Sequence, residues 1–547
     1  MKQDDRRLVS QPERVDTYLR HPEAKRLPFS CTLAVLKKDS QLEEVLNFIA
    51  LSLKGGAGVK IVIERDFVLE DSNPDFCLYQ HIDPKNPDSA YFHDVLNPNQ
   101  FNKDLSELDH TTVRLGDSLV EIMAGVSQVF QLARQGVDNV LVDLSLLRTR
   151  GTVNSDGLKA SGSVTFTHLL DACEFHIKRG TLHSLLRLLG VLNSVVAQGG
   201  YKGGIVTSAI HYDSPYFERY LDVPLVSLPG SHKKGVILSA TEQPSPELLT
   251  KILGKVNSES LFLQKEYDDE TYANVCMGIR LKDRGTCLII RINLGQVTEL
   301  EQIKTAFEQA TVRAITLHTG WRRLHPDRAK MWADIKDDRQ VAVDVMGLSS
   351  LLHRFDISYD DFINALHGED STEAAKELVE TFGEAYRQSS ITADHQTRML
   401  GLPSFKYLHT VEPAQSHSYR ALTADGYTVS RGIWTPFSRL VSRKSEREQV
   451  KVYDYGEVET HMEPHQHFRL NDGWMKLMSN NGRAHTISFD TLEDFTPEVF
   501  DKWFNSSLET LYYNMAKDFQ TDTYARKGGF NIPSLVDDED GCSVCAA

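Results

Sequence analysis

Between residues 27 and 64 the chain alternates in a way that leaves few folds open. Residues 27–36, Leu-Pro-Phe-Ser-Cys-Thr-Leu-Ala-Val-Leu, are apolar enough for a buried strand. Leu42, Val45, Leu46 and Ile49 then recur at helical spacing, with Asp39-Ser40 placed to cap that helix. The glycine cluster Gly55-Gly56-Ala57-Gly58 ends it, and residues 59–64 are β-like again. Strand, helix, glycine break and strand form the unit of parallel sheets, because parallel neighbours need a long crossover between them. The expected fold class is α/β. Later segments continue the theme, with a helix over 117–133, a strand over 139–144, two helices within 166–196 broken at Arg179-Gly180, and outer helices over 297–314 and 371–388. Residues 71–110, rich in Asp, Asn and Pro, read as an irregular insertion with little core.

Charge and cysteine usage narrow the function. A net charge of -16 argues against broad binding of nucleic acid or anionic membrane, while leaving room for a local nucleotide pocket. No apolar run approaches the roughly 20 residues that span a bilayer, and the polar start Met1-Lys2-Gln3-Asp4-Asp5 lacks the apolar core of a signal peptide. A cytoplasmic protein is expected. Seven cysteines, an odd number scattered over 547 residues, do not form the pattern of a secreted disulfide framework.

Two stretches concentrate the chemistry. Asn274-Val275-Cys276-Met277-Gly278 precedes a charged turn, Lys282-Asp283-Arg284-Gly285, and then the β-like run Cys287-Leu288-Ile289-Ile290-Arg291-Ile292. A single cysteine in such a place is ordinarily a small buried hydrophobe. The C-terminal Cys542-Ser543-Val544-Cys545, behind Asp537-Asp538-Glu539-Asp540, is different, because that acidic run keeps it solvated. A structural zinc site wants about four ligands, and the tail offers two. A mobile dithiol that passes electrons to an internal disulfide is the better reading, with Cys276 and Cys287 as internal candidates. His461, His465 and His467 have metal-like spacing, but no acid or thiol is tied to them in sequence, and no metal centre is expected.

Asn274-x-Cys276, Cys287 followed after five residues by Asn293-Leu294, and the CxxC tail together resemble the large catalytic subunit of ribonucleotide reductase. Ser30-Cys31, Asp39-Ser40 and Gly55-Gly56-Ala57-Gly58 match that family's first strand, helix and turn. The resemblance implies a ten-stranded α/β barrel over residues 27–530, with Cys276 on a finger loop through its centre. Residues 1–26 would be an N-terminal arm, 71–135 an insertion and possible effector region, and 531–547 a flexible redox tail. It implies radical reduction of a ribonucleotide to a deoxyribonucleotide. Cys276 would become a thiyl radical, Asn274 would bond the ribose hydroxyls, and Cys31 with Cys287 would close a disulfide that Cys542 and Cys545 reduce. Ser30, Ser161-Gly162 and Pro413-Ala414-Gln415-Ser416 would bind substrate. The loop Gln198-Gly199-Gly200-Tyr201-Lys202-Gly203-Gly204 would relay base specificity from a dNTP or ATP effector. Residues 508–517 read as a helix, and its pair Tyr512-Tyr513 resembles the radical relay of class I members. A metal-bearing small subunit would then supply the radical, and this chain would bind no cofactor directly. Residues 141–166 instead resemble the monomeric class II members, for which adenosylcobalamin is the cofactor. A thioredoxin- or glutaredoxin-like reductant and a ribonucleoside di- or triphosphate substrate are implied in either case.

The chain departs from that pattern in four places. Ser163 stands where proline is usual, Lys202 replaces an arginine and its bidentate fork, and Ala414, Gln415 and His417 are unusual in the phosphate loop. Most consequential is Gly278, where the family carries the glutamate that accepts a proton from the ribose 3′-hydroxyl. Loss of a general base costs about a hundredfold to ten-thousandfold in rate. Either another acid such as Glu412 takes its place or the chain is a weakened, nucleotide-binding relative. The short lead before the first strand also implies that no ATP cone regulates overall activity.

Overall fold

A computed structural model describes residues 7–10, 27–92, 102–153, 160–196, 205–230, 232–259, 261–267, 270–412, 414–436, 439–444, 450–459, 462, 464–478, 488–490 and 495–514. They divide into two compact units, one of residues up to 33 and from 235 onward, the other of residues 34–234.

In the first unit a four-stranded sheet runs in the order Leu8–Ser10, Ile289–Asn293, Gln340–Met346, Tyr407–His409. The first pair in this order is antiparallel, Leu8 facing Ile292, and the other two pairs are parallel, with Arg291 opposite Asp344. Gln340–Met346 is buried along its whole length, as a strand covered on both faces must be, and so reads as a near-continuous apolar run. The long helices Glu301–Leu324 and Glu373–Met399 lie against each other, and the first also packs on this sheet. The short strand Thr286–Cys287 is antiparallel to Cys31–Leu36, which sets Cys287 directly opposite Cys31. Phe262–Lys265 pairs in parallel with Lys233–Leu238 and antiparallel with Thr510–Asn514.

In the second unit Gly58–Ile63 pairs in parallel with Val206–His211. A separate sheet of three parallel strands has Asn139–Asp143 between Cys77–His81 and Thr111–Arg114. Helices Leu119–Arg134 and Leu182–Val195 open on reciprocal capping boxes, Ser118 with Glu121 and Thr181 with Ser184. Gly180, at φ +53°, terminates Ser163–Arg179 in the left-handed conformation that glycine takes without a Cβ penalty.

The α/β class and most elements match the sequence reading, and three local readings are corrected. Ser40 does not cap Leu42–Lys54, because its hydroxyl closes the preceding turn by accepting from the Lys37 N–H at 2.8 Å. Part of 71–110 has a core after all. Cys77–His81 forms a strand, and Phe76, Leu78 and Ile82 are fully buried. Of residues 508–517, the described ones, 508–514, hold a strand, Thr510–Asn514, where a helix was expected. The β-preferring Thr-Leu-Tyr-Tyr run gains ladder bonds to Phe262–Lys265, and tertiary pairing outweighs helical spacing.

Two glycines give opposite expectations for stability. A Cβ on Gly235 would lie 1.8 Å from the buried ring of Phe262, so Gly235→Ala is expected to cost about 1–3 kcal/mol through overpacking. Gly254 lies inside Pro246–Glu259 with open space at its Cβ, so Gly254→Ala is expected to gain up to about 1 kcal/mol. Denaturant midpoints of the two variants against the parent check both signs.

Candidate active site

Cys276 sits on a six-residue loop between the paired strands Tyr272–Ala273 and Arg280–Leu281. The side chain of Asn274 builds that loop. Its Oδ1 accepts from the backbone N–H of Gly278 at 2.9 Å and of Ile279 at 3.3 Å. The Asn274 backbone closes the turn at both ends, its N–H donating to Ile279 and its carbonyl accepting from Met277. Met277 takes φ +64°, an uncommon conformation for a residue with a side chain, and the loop is braced from outside. Thr510 Oγ1 donates to the Met277 carbonyl at 3.0 Å, and the Thr410 hydroxyl donates to that of Gly278.

The remaining amide hydrogens of Asn274 tie the loop to two other segments. Nδ2 lies 3.2 Å from Cys287 Sγ and 3.2 Å from Glu412 Oε1. Cys31 Sγ is 3.9 Å from Cys276 Sγ, and Cys287 is the register partner of Cys31 on the adjoining strand. The three thiols named from sequence therefore converge, from positions up to 256 residues apart, around one asparagine. Cys31 and Cys287 are buried, whereas Cys276 is half-buried. For the Cys31 thiol, the bond to Cys276 favours ionisation, but contact with Cys287, burial and the Glu412 carboxylate together raise its pKa well above the usual thiol value. Burial raises Cys287 as well. Both are held as neutral thiols at physiological pH.

Glu412 is 1 % exposed, and a Cβ built on Gly278 would fall 2.3 Å from its Cγ and 2.8 Å from its Oε1. The space that a side chain at 278 would need is thus filled by a carboxylate from another segment. Glu412 Oε2 is 3.3 Å from an Arg291 nitrogen. The same guanidinium pairs with Asp344 at 3.0 Å and donates to His417 Nδ1 at 2.9 Å. Burial pushes the Asp344 carboxyl up to about 7 against the attraction of Arg291, and the neighbouring Glu412 charge adds to the rise. On the other side of Cys287, buried Asp338 accepts from the Thr286 N–H at 3.1 Å and from its hydroxyl at 2.6 Å, and also pairs with Arg322.

Sequence reasoning did not single out Arg291, Asp344, Asp338, Arg322 or Thr410. A signal existed for the first two. Arg291 and Asp344 are the only ionisable residues in the strands Ile289–Asn293 and Gln340–Met346, and a charge in a buried apolar run needs a partner.

The other predicted residues are placed as follows. Ser30 directly precedes Cys31, and its N–H donates to the Cys287 carbonyl at 3.2 Å. Ala414 is buried at φ +51°, before a four-residue helix Gln415–Ser418, and Pro413 lies outside the described residues. Ser161 and Gly162 belong to the second unit, where Gly162 at φ +81° precedes Ser163–Arg179. The Ser163 N–H and hydroxyl each donate to Asp88 at 2.9 Å, and a proline at this position would lack the N–H. Tyr512 and Tyr513 lie on the strand Thr510–Asn514. The loop from Gln198 to Gly204 and the tail cysteines Cys542 and Cys545 lie outside the described residues. No helix among those residues is long and apolar enough to cross a membrane.

No family model and no curated protein matches the chain. Among solved structures it resembles one described as the crystal structure of a B-12 dependent (class II) ribonucleotide reductase. The TM-score is 0.63 at 13% identity, over 90% of this chain and 79% of that one. The chain thus has a fold like that of a ribonucleotide reductase. This likeness corrects the cofactor expectation. A class I chain that binds no cofactor and draws its radical from a small subunit is not supported, since that solved structure is described as B-12 dependent. The tyrosine pair that suggested class I also lies on a strand and not on the expected helix.

Two measurements follow from this geometry. Brief treatment with iodoacetamide is expected to label Cys276 several-fold faster than Cys31 or Cys287, as peptide mapping reads, because only Cys276 combines partial exposure with a place in the site. Asp344 has a folded pKa of about 7 against an ordinary 3.8, so between those values the folded chain keeps a proton that the unfolded chain has released. Its contribution to stability is therefore fully present below about pH 4 and falls as pH rises through 7. Asp344→Asn is expected to flatten that fall in melting temperature against pH; a slope equal to the parent's would refute it.

Proposed function

We propose that this chain is a ribonucleotide reductase that replaces the 2′-hydroxyl of a ribonucleotide by hydrogen, and that it belongs with the adenosylcobalamin-dependent enzymes. The observation that carries the proposal is the meeting of Cys31, Cys276 and Cys287 around Asn274. Removing a hydroxyl from unactivated ribose lies outside acid–base chemistry and calls for a radical together with two reducing equivalents. The half-buried thiol is the one accessible to a radical source, and the two buried neutral thiols are placed to give up hydrogen.

Adenosylcobalamin would supply the one-electron chemistry for such a radical. The partial exposure of Cys276 fits such an external source, and Cys276 is the residue that would face it. The chain's own residues do the rest. Cys276 takes the hydrogen from C3′ of the sugar, and Asn274, already the hub of the loop, orients the ribose hydroxyls. Cys31 and Cys287 provide two electrons and close a disulfide, which the Cys542–Cys545 dithiol then exchanges with. From Lys527 to Cys542 an extended tail reaches on the order of 50 Å. A thioredoxin-like protein renews the tail. Ser30, Ser161, Gly162 and the segment Pro413–Ser416 bind the substrate, and the Gln198–Gly204 loop couples effector to base choice. Residues 27–530 close into the ten-stranded barrel, with 1–26 as an arm, 71–135 as an effector-linked insertion and 531–547 as the redox tail. The setting is the cytoplasm.

The test is product formation. With adenosylcobalamin and dithiothreitol, the parent is expected to convert CTP or CDP to its 2′-deoxy form. Cys276→Ser is expected to abolish turnover, and Cys31→Ser or Cys287→Ser to stop it after at most one cycle. A parent that binds nucleotide but yields no deoxynucleotide overturns the proposal.

A further inference from the structure

Gly278 and Glu412 share one volume. The glycine leaves a gap two residues beyond the reactive cysteine, and the Glu412 side chain fills it so closely that no other residue fits at 278 without displacing that carboxylate. One Glu412 oxygen faces Asn274 Nδ2 at 3.2 Å and the other faces Arg291 at 3.3 Å. A carboxylate that is 1 % exposed is costly unless its contacts recompense it. Arg291, its cationic partner, is shared with Asp344 on the next strand. Two acids around one arginine, all buried, form an arrangement that stability alone does not favour.

We infer that Glu412, from the segment after strand Tyr407–His409, is the general base of this site, in the place that a side chain at 278 would otherwise occupy. The inference rests on the reductase reading above and adds to it the residue that moves the proton. Once Cys276 has taken hydrogen from C3′, the adjoining 3′-hydroxyl is acidic, and Glu412 accepts its proton. The C2′–O bond then breaks, and the hydroxyl departs as water with a proton from one of the two buried thiols. Cys31 and Cys287 supply the remaining hydrogen to C2′, close their S–S bond and pass the one electron left over to the 3′-ketone that loss of water has formed. Glu412 returns its proton to the 3′ oxygen as Cys276 returns its hydrogen to C3′. The sum is one ribonucleotide and two thiols converted to one deoxyribonucleotide, one disulfide and one water. Arg291 is a positioning residue in this scheme, pairing with one Glu412 oxygen while the other faces Asn274.

The experiment compares the parent, Glu412→Gln and the double variant Gly278→Glu/Glu412→Gly under the same assay, with CDP and CTP as probes for both binding and turnover. Glu412→Gln keeps the shape and is expected to bind both probes within about threefold of the parent. Its turnover is expected to fall by about a hundredfold to ten-thousandfold and to lose the acid limb of the pH–rate profile. The double variant returns one carboxylate to the cavity from the finger loop and is expected to recover at least tenfold over Glu412→Gln. If Glu412→Gln does not fold, the double variant decides, because a folded, nucleotide-binding but inactive form overturns the inference. A parent with no turnover overturns the reductase reading and this inference with it. A parent that turns over beside an equally active Glu412→Gln overturns this inference alone.

Discussion

The site depends on one side-chain amide. Asn274 uses its oxygen to hold the backbone of Gly278 and Ile279 and its nitrogen to reach Cys287 and Glu412. Every polar group of that amide is therefore engaged, two bonds closing the loop that carries Cys276 and two joining it to other segments. In a buried setting an unmet amide costs about 1–3 kcal/mol, so the four contacts stand or fall together. The strained Met277 and the half-buried thiol beside it persist because this frame, with Thr410 and Thr510 behind it, leaves the loop no alternative course.

Around that frame the strands act as rulers. Pairing of Thr286–Cys287 with the start of Cys31–Leu36 fixes two thiols opposite one another, and Asp338 with Arg322 locks the Thr286 end of the pair. Parallel pairing of Ile289–Asn293 with Gln340–Met346 likewise sets Arg291 opposite Asp344. Register, once fixed by the apolar faces, positions chemistry at no further conformational cost. Breaking a buried pair of this kind by removing one partner costs about 3–5 kcal/mol, which binds the charged network to the stability of the sheet.

Much of this was legible in the chain. The alternation over 27–64 and the helix break at Gly180 are local signals, and the structure follows them. The three cysteines were readable as a set through resemblance, though nothing local ties Cys31 to Cys287 across 256 residues. Tyr512-Tyr513 was misread because the apolar spacing of 508–517 suits a helix, and the neighbouring strand that overrules it lies some 250 residues upstream. Glu412 could only be suspected, since its contact with Gly278 spans 134 positions and follows no periodicity. Arg291 and Asp344 were visible as lone charges in apolar runs, a local sign of a non-local partner.

The crowding between positions 278 and 412 also constrains how such a site is inherited. An acid at both places collides, and an acid at neither leaves a hole beside a buried arginine. A lineage moving from one arrangement to the other must pass through one of those two poor intermediates. Relatives that keep this loop are thus expected to vary at the two positions in concert, a glycine at one travelling with a glutamate at the other.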